Sequence, residues 1–325
     1  MLRLAAMAAL ATAAFILTPG GIAFAADAYP ARPVRVIVPF APGGTSDIMA
    51  RVMSQQLSEQ LGQTFVVDNR PGASGFIGHG MVAKAAPDGY TIATVDDGFS
   101  IIPSVKKEMP YDPVRDFTFI TEVMSVPRAL VVRPSLNATT VKEFIAQAQA
   151  SPGRMTFASG GTGGINHLSA ELFNLSAKVK LIHVPYKGAG AATTGVLSGE
   201  SDLVIAAAPT VVAQVKSGKL RALGVTTGAG KRFAALPDVP SLADSGLAGM
   251  EIYTWFGFLG PAKMPSAIVD RIHGEVVRAI ATPFVKDRLQ GAELIGSGSQ
   301  AFTKVIRADM KRWAGVVQAA GVERE

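Results

Sequence analysis

The 325-residue chain contains no cysteine, which excludes thiol nucleophiles, thiolate metal sites and a disulfide framework. Histidine is scarce too. The four residues, at 79, 167, 183 and 273, are too scattered for a multi-histidine metal motif. Only 17% of residues are charged against 48% hydrophobic, a balance that suits packed cores and not a disordered polymer. The net charge of +6 comes without a dense Lys/Arg run or a basic stripe interleaved with aromatics. Nucleic acid is therefore not an expected partner, and the mild basic bias points to small anions. Hydrolase signatures are missing as well: there is no G-x-S-x-G elbow, no H-E-x-x-H motif and no P-loop.

What is present begins with an export signal. Arg3 precedes an apolar run, Pro19-Gly20-Gly21 breaks it, and Ala23-Phe24-Ala25 forms a small-residue cleavage pattern. Residues 1–25 are expected to be a cleaved signal peptide, leaving a periplasmic protein. The remainder has no apolar run of roughly 18 residues, the length a membrane span needs. An exported chain meets little ATP or NAD, so no cofactor is expected. The length fits two domains.

Strand, turn and helix patterns then alternate. Residues 34–40 are short and β-branched; 45–61 carry helical spacing and stop at Gly62. Further strands are expected at 64–68, 90–95, 117–123 and 129–133. A second series has strands at 155–158, 180–184, 202–206 and 220–226, with helices at 139–150, 165–177, 191–197 and 210–216. An extended stretch at 251–260 and three helices (266–282, 284–290, 300–320) close the chain. The alternation predicts an α/β fold with parallel sheets in two lobes. The chain is expected to cross between lobes near residues 125–131 and 249–254.

Two turns stand out. In P-F-A-P-G-G-T-S-D (39–47) and S-G-G-T-G-G-I-N-H (159–167), a strand ends and a helix begins. Ligands of open α/β sheets sit at the carboxyl ends of strands, and a helix start offers free N–H groups to an anion. One such site in each series suits a carboxylate held from both sides. The G-A-S-G-F-I-G stretch (72–78) imitates a dinucleotide fingerprint but is spaced G-x-x-G at its start. Asp96 and Asp97 are adjacent in a predicted strand and should face opposite ways, so no paired acid/base is expected. The 96–100 loop is a candidate third wall. Tyr253, Trp255 and Phe256 are expected mainly in the core, although a tryptophan near a lobe crossing can line a pocket.

These residues also resemble a family. Y-P-A-R-P-V-R-V-I-V-P-F-A-P-G-G (29–44), D-N-R-P-G-A (68–73), A-P-D-G-Y-T (86–91), Y-D-P-V-R-D-F (111–117), H-V-P-Y-K-G (183–188), G-K-L-R-A-L-G-V-T (218–226) and L-P-D-V-P-S-L-A-D-S-G (236–246) are similar, in order, to the Bug receptors. Those are the solute-binding proteins of bacterial tripartite tricarboxylate transporters. The resemblance implies a type II periplasmic binding protein fold, two α/β lobes with a ligand cleft between them: residues 26–127 plus 252–325, and 128–251. It implies a monomeric, non-catalytic receptor for a small carboxylate, with integral membrane permease subunits as partners. It places ligand contacts at Phe40, Ala41, Gly43, Gly44, Thr45 and Asp47 in one pincer, and at Ser159, Thr162, Gly163, Gly164 and His167 in the other. Relatives that bind amino acids tend to carry an acid on the strand at 204–208; here that stretch offers Ala206. A carboxylate with a neutral or apolar remainder, aromatic included, is the expected ligand, with Phe99 and Trp255 available to face it. The alternatives are an exported α/β enzyme and a sensory receptor for a small organic acid.

Overall fold

A computed structural model describes residues 29–72 and 75–324. The expected leader lies outside the described residues. Strand β1 (Val34–Val38) is fully apolar except at Arg35 and pairs in parallel with β2 (Phe65–Asn69) and β3 (Thr91–Asp96). Helix α1 (Thr45–Leu61) lays Met49, Met53 and Leu57 onto this sheet and stops at Gly62, whose φ of 66° is the left-handed cap that glycine adopts freely. Helix α2 (Phe76–Ala83) follows β2, and α3 (Gly98–Val105) follows β3. α3 carries little helical signal of its own, because Pro103 and Gly98 both weaken it.

Two expected strands at 117–123 and 129–133 are one: β4 (Phe117–Val132). Its residues 117–127 pair with β9 (Tyr253–Pro261), while residues 128–132 pair with β7 (Leu203–Ala207), and 129–132 also with β8 (Arg221–Val225). β4 therefore runs out of one lobe into the other. β9 lies antiparallel to it and to β3, and β10 (Glu293–Ser297), absent from the sequence reading, is a further antiparallel partner of β4. The expectation of purely parallel sheets is thus corrected. Two segments that cross between lobes in opposite directions pair antiparallel, and alternation of local elements carries no trace of that.

In the second lobe β5 (Thr156–Ser159) lies parallel to β6 (Ile182–Pro185) and β7. Helix α4 (Val141–Ala150) begins in a Thr140–Glu143 capping box. Helices α5 (Ile165–Ala177), α6 (Ala189–Ser198) and α7 (Ala208–Lys216) each follow a strand of this sheet, α5 after the glycine-rich loop 160–164. Of the closing helices, α8 (Ser266–Ala281) and α9 (Pro283–Arg288) cover the first lobe. The last, α10 (Ser299–Ala320), divides its apolar face. Phe302 and Ile306 pack with Phe99, Phe117 and Phe119, whereas Trp313, Val316 and Val317 pack with Phe144, Phe157 and Phe173 in the second lobe.

Candidate ligand-binding cleft

The carboxyl ends of β1, β5, β6 and β7 converge between the lobes, and each feeds a helix. The residues that open α1, α5, α6 and α7 are Gly44, Gly164, Gly188 and Ala207, and none supplies a side-chain cap. Their first-turn N–H groups and positive dipole ends are left for something else to satisfy. They border two adjoining cavities. The larger, about 580 Å³, is walled by Gly44, Thr45 and Ser46 from the first lobe and by Asn166, Ala189, Gly190, Ala206 and Ala207 from the second. The smaller, about 420 Å³, is walled by residues 160–165 and by Gly98, Phe99 and Val105. Phe40, Asp96, Asp97 and Ile165 belong to both.

Each pincer is held in shape by residues behind it. Asp47 accepts hydrogen bonds from Gly43 N (2.9 Å), Asn69 Nδ2 (2.8 Å) and Arg51 Nε (3.0 Å), and so ties the first turn to α1 and β2. Burial alone would raise its carboxyl, but the bonds from Arg51, Gly43 and Asn69 outweigh it and hold the group below the ordinary range. A depressed folded-state value means that the stabilisation is present above the unfolded value and is lost as pH falls through the folded one. Asp47→Ala is therefore expected to cost about 1–2 kcal/mol at pH 7 and distinctly less at pH 3, as read by urea melts at both. An equal cost at the two pH values would contradict this.

In the second pincer, Ser159 Oγ lies 2.6 Å from His183 Nε2 and accepts Gly161 N–H at 3.1 Å. His183 stacks on His167 with ring centroids 3.9 Å apart, and His167 Nδ1 accepts Gly163 N–H at 3.0 Å. Burial first, then the neighbouring His167, push His183 down to about 4, so the stack is held with His183 neutral at pH 7. Gly160 closes against α6: a Cβ there would stand 2.7 Å from Ala189 N and 2.9 Å from Gly188 C, both backbone atoms. The Ser159–His183 contact is the nearest thing to a nucleophile–base pair. Yet Ser159 is fully buried, lines neither cavity and is committed to Gly161, so it builds the loop.

The predicted residues thus separate. Phe40, Gly44, Thr45 and Ala206 line the larger cavity; Phe40, Phe99, Thr162, Gly163 and Gly164 line the smaller. Ala41, Gly43, Asp47, Ser159 and His167 lie outside both linings. Phe99 touches the cleft with little surface, being 1% exposed and ringed edge-on by His79, Phe117 and Phe119. Trp255 is on neither wall. Its indole donates to Asp309 Oδ2 at 2.6 Å and its ring meets Phe302 edge-on. Neighbours in a strand face opposite sides, and it is Phe256 that faces the cleft.

Of three further cleft residues, Asp96 and Asp97 lie in the 96–100 stretch expected as a third wall, and only Arg128 goes unnamed by the sequence patterns. Strand β3 ends at Asp96 and α3 begins after Asp97, so the alternation that would separate them stops there and both reach the shared wall. Burial first, and for Asp96 the neighbouring Asp97 charge next, push both carboxyls well above the ordinary range. Arg128, 2% exposed, lies where β4 passes between lobes. It donates from Nη1 to Thr254 Oγ1 (2.8 Å) and from Nη2 to Ile205 O (2.9 Å). Burial pulls its guanidinium down to about 10, with Asp97 opposing, which leaves it cationic at pH 7. A lone arginine inside the apolar run S-V-P-R-A-L-V-V was the available signal.

Comparison with known proteins agrees with this two-lobed α/β fold. Residues 49–322 match the family model described as tripartite tricarboxylate transporter family receptor. Protein BugT of Bordetella pertussis is 36% identical over 318 residues, covering 95% of this chain and 96% of that protein. Among solved structures, the periplasmic binding protein BugD superposes with a TM-score of 0.75 at 33% identity, over 91% of this chain and 100% of BugD. An R. palustris protein solved with adipate gives a TM-score of 0.78 at 34% identity, again over 91% and 100%.

Proposed function

The chain belongs to the tripartite tricarboxylate transporter receptor family, and from that premise we propose that it is a periplasmic receptor that captures a small carboxylate between its lobes and delivers it to integral membrane permease subunits. One observation carries the ligand class: four uncapped helix starts, one from the first lobe and three from the second, border the same pair of cavities. A carboxylate there is met by N–H donors and dipole ends on both sides, so it binds the closed arrangement better than the open one and draws the lobes together. β4 and β9, the strands that run between lobes, are where such a closure bends.

The rest of the ligand is neutral in this reading. β7 presents Ala206 where an acid would be needed for an ammonium group, and Asp96 and Asp97, pushed toward their neutral forms by burial, are poor counter-ions. Phe40, Ile165, Leu197 and Phe256 give the larger cavity an apolar side that accepts an aliphatic or aromatic body.

A thermal-shift series on the protein lacking its leader tests both parts, with dicarboxylates, aromatic carboxylates, glutamate and aspartate as probes. At a hundredfold excess over Kd, a ligand that binds only the folded state adds about 2.7 kcal/mol of stability. A shift with a neutral-tailed acid is expected. A shift confined to glutamate and aspartate would refute the neutral remainder, and silence across all carboxylates would refute the ligand class.

A further inference from the structure

The wall common to both cavities is a place where charges do not balance. Asp96 and Asp97 both stand on it, and the cation beside them is Arg128, on the wall of the larger cavity. Asp96 is the partly exposed member; its Oδ1 accepts Gly98 N–H at 3.1 Å, and the residue faces both cavities. Asp97 is 3% exposed, and its Oδ2 has no hydrogen-bond partner. Arg128 Nε is likewise buried and unpartnered. A buried carboxylate oxygen without a donor favours the protonated acid. The other charged and titratable groups around the pair do not restore the balance. Asp309, on α10, is paired with Arg312 at 3.0 Å, His79 is neutral at pH 7 because burial holds it down at about 4, and the smaller cavity carries one charge of each sign in Lys106 and Glu323.

Now an anionic ligand enters. Two acids and a ligand carboxylate against one guanidinium leave an excess of negative charge beside the buried Asp97 and Arg128, and the smallest remedy is a proton. We propose that this receptor captures its acid together with a proton: Asp96, in its neutral form, donates a hydrogen bond to an oxygen of the bound carboxylate, with Asp97 and Arg128 behind it setting the charge. This rests on the carboxylate reading of the cleft and adds a role that a helix start cannot play, because backbone N–H groups bind an anion at any pH. The balance is simple. Where Asp96 is ionised in the free protein, one ligand carboxylate and one solvent proton enter and both leave on release; where Asp96 is already neutral, its own proton is the one shared with the ligand and none is taken up.

The test is calorimetry on the whole mature chain, with adipate and hexanoate as probes, in buffers of different ionisation heat over about pH 6 to 9.5. Linkage requires the proton uptake and the slope of log affinity against pH to agree. The expected result is an uptake rising toward one proton per ligand at the alkaline end, with affinity falling roughly tenfold per pH unit there. Asp96→Asn keeps a donor but cannot titrate, and is expected to bind with no uptake and with an affinity constant to about twofold across the range. Zero uptake in the unaltered protein, or undiminished uptake in D96N, overturns the proposal. If neither probe binds, the carboxylate reading loses support, and the proton question is settled separately by carbon-13 NMR of the ligand-free protein. A carboxyl resonance that is lost in D96N and titrates near neutral pH supports the proposal; one that titrates near 4 overturns it.

Discussion

Replacing Arg128 with methionine is expected to destabilise the protein by about 3–5 kcal/mol at pH 8, the usual cost of removing one member of a buried charged set. The guanidinium donates to Ile205 O, which also accepts from Asn166 Nδ2 at 3.1 Å, and to Thr254 Oγ1, and its charge acts on the Asp97 carboxyl at the cleft wall. Methionine fills the volume but leaves the carbonyl without that donor and the carboxylate uncompensated. The pH dependence identifies the cause. Asp97 is raised in the folded protein, so its contribution to stability falls as pH rises above the unfolded value. Without Arg128 its carboxyl is raised further, and the loss extends over more of the alkaline range. Urea melts should therefore show a smaller penalty at pH 5 than at pH 8. A penalty independent of pH would mean that the arginine acts only through its hydrogen bonds and packing.

The second large effect belongs to Gly257, in the middle of β9. Strand β4 shifts register between Glu122 and Met124 and again between Phe119 and Thr121, and these irregularities bring the Thr121 carbonyl over Gly257. An added Cβ would collide with that oxygen and stand 2.6 Å from the Phe302 ring. Gly257→Ala is expected to cost about 3 kcal/mol, at the upper end for overpacking, because the obstacle is backbone and cannot rotate away. Trimming the ring as well, in a G257A/F302L double variant, should fail to restore the melting temperature. Full recovery would show that the ring, and not the Thr121 carbonyl, decides.

Much of this molecule is legible in its sequence where the signal is local. The β-branched run 34–38, the Gly62 stop and the helix from Ile165 to Ala177 are all set by residues within a turn or two of each other, and they stand in the structure as read. The two pincers were legible for the same reason, since glycine-rich chain between a strand and a helix is itself the device. What escaped reading is set by distant chain. The antiparallel pairing of β4, β9 and β10 joins segments more than a hundred residues apart. Whether Asp97 faces the cleft or the core depends on where β3 gives way to α3, and the sequence marks that point only by a glycine. Trp255 and Phe256 are adjacent, aromatic and indistinguishable by pattern, yet one serves the core and the other the cavity, because the register of β9 against β3 and β4 decides between them.

The divided face of α10 has a consequence for cooperativity. At 1.5 Å per residue its 22 residues span about 33 Å, enough to lend a row of side chains to each interior. A fragment made of residues 128–251 alone would lack Trp313, Val316 and Val317 from its centre, and a chain cut before Ser299 would leave an opening in both interiors. Each half thus draws part of its interior from a helix that it shares with the other. The two lobes are therefore expected to unfold together, and a ligand seated in the cleft is expected to stabilise both.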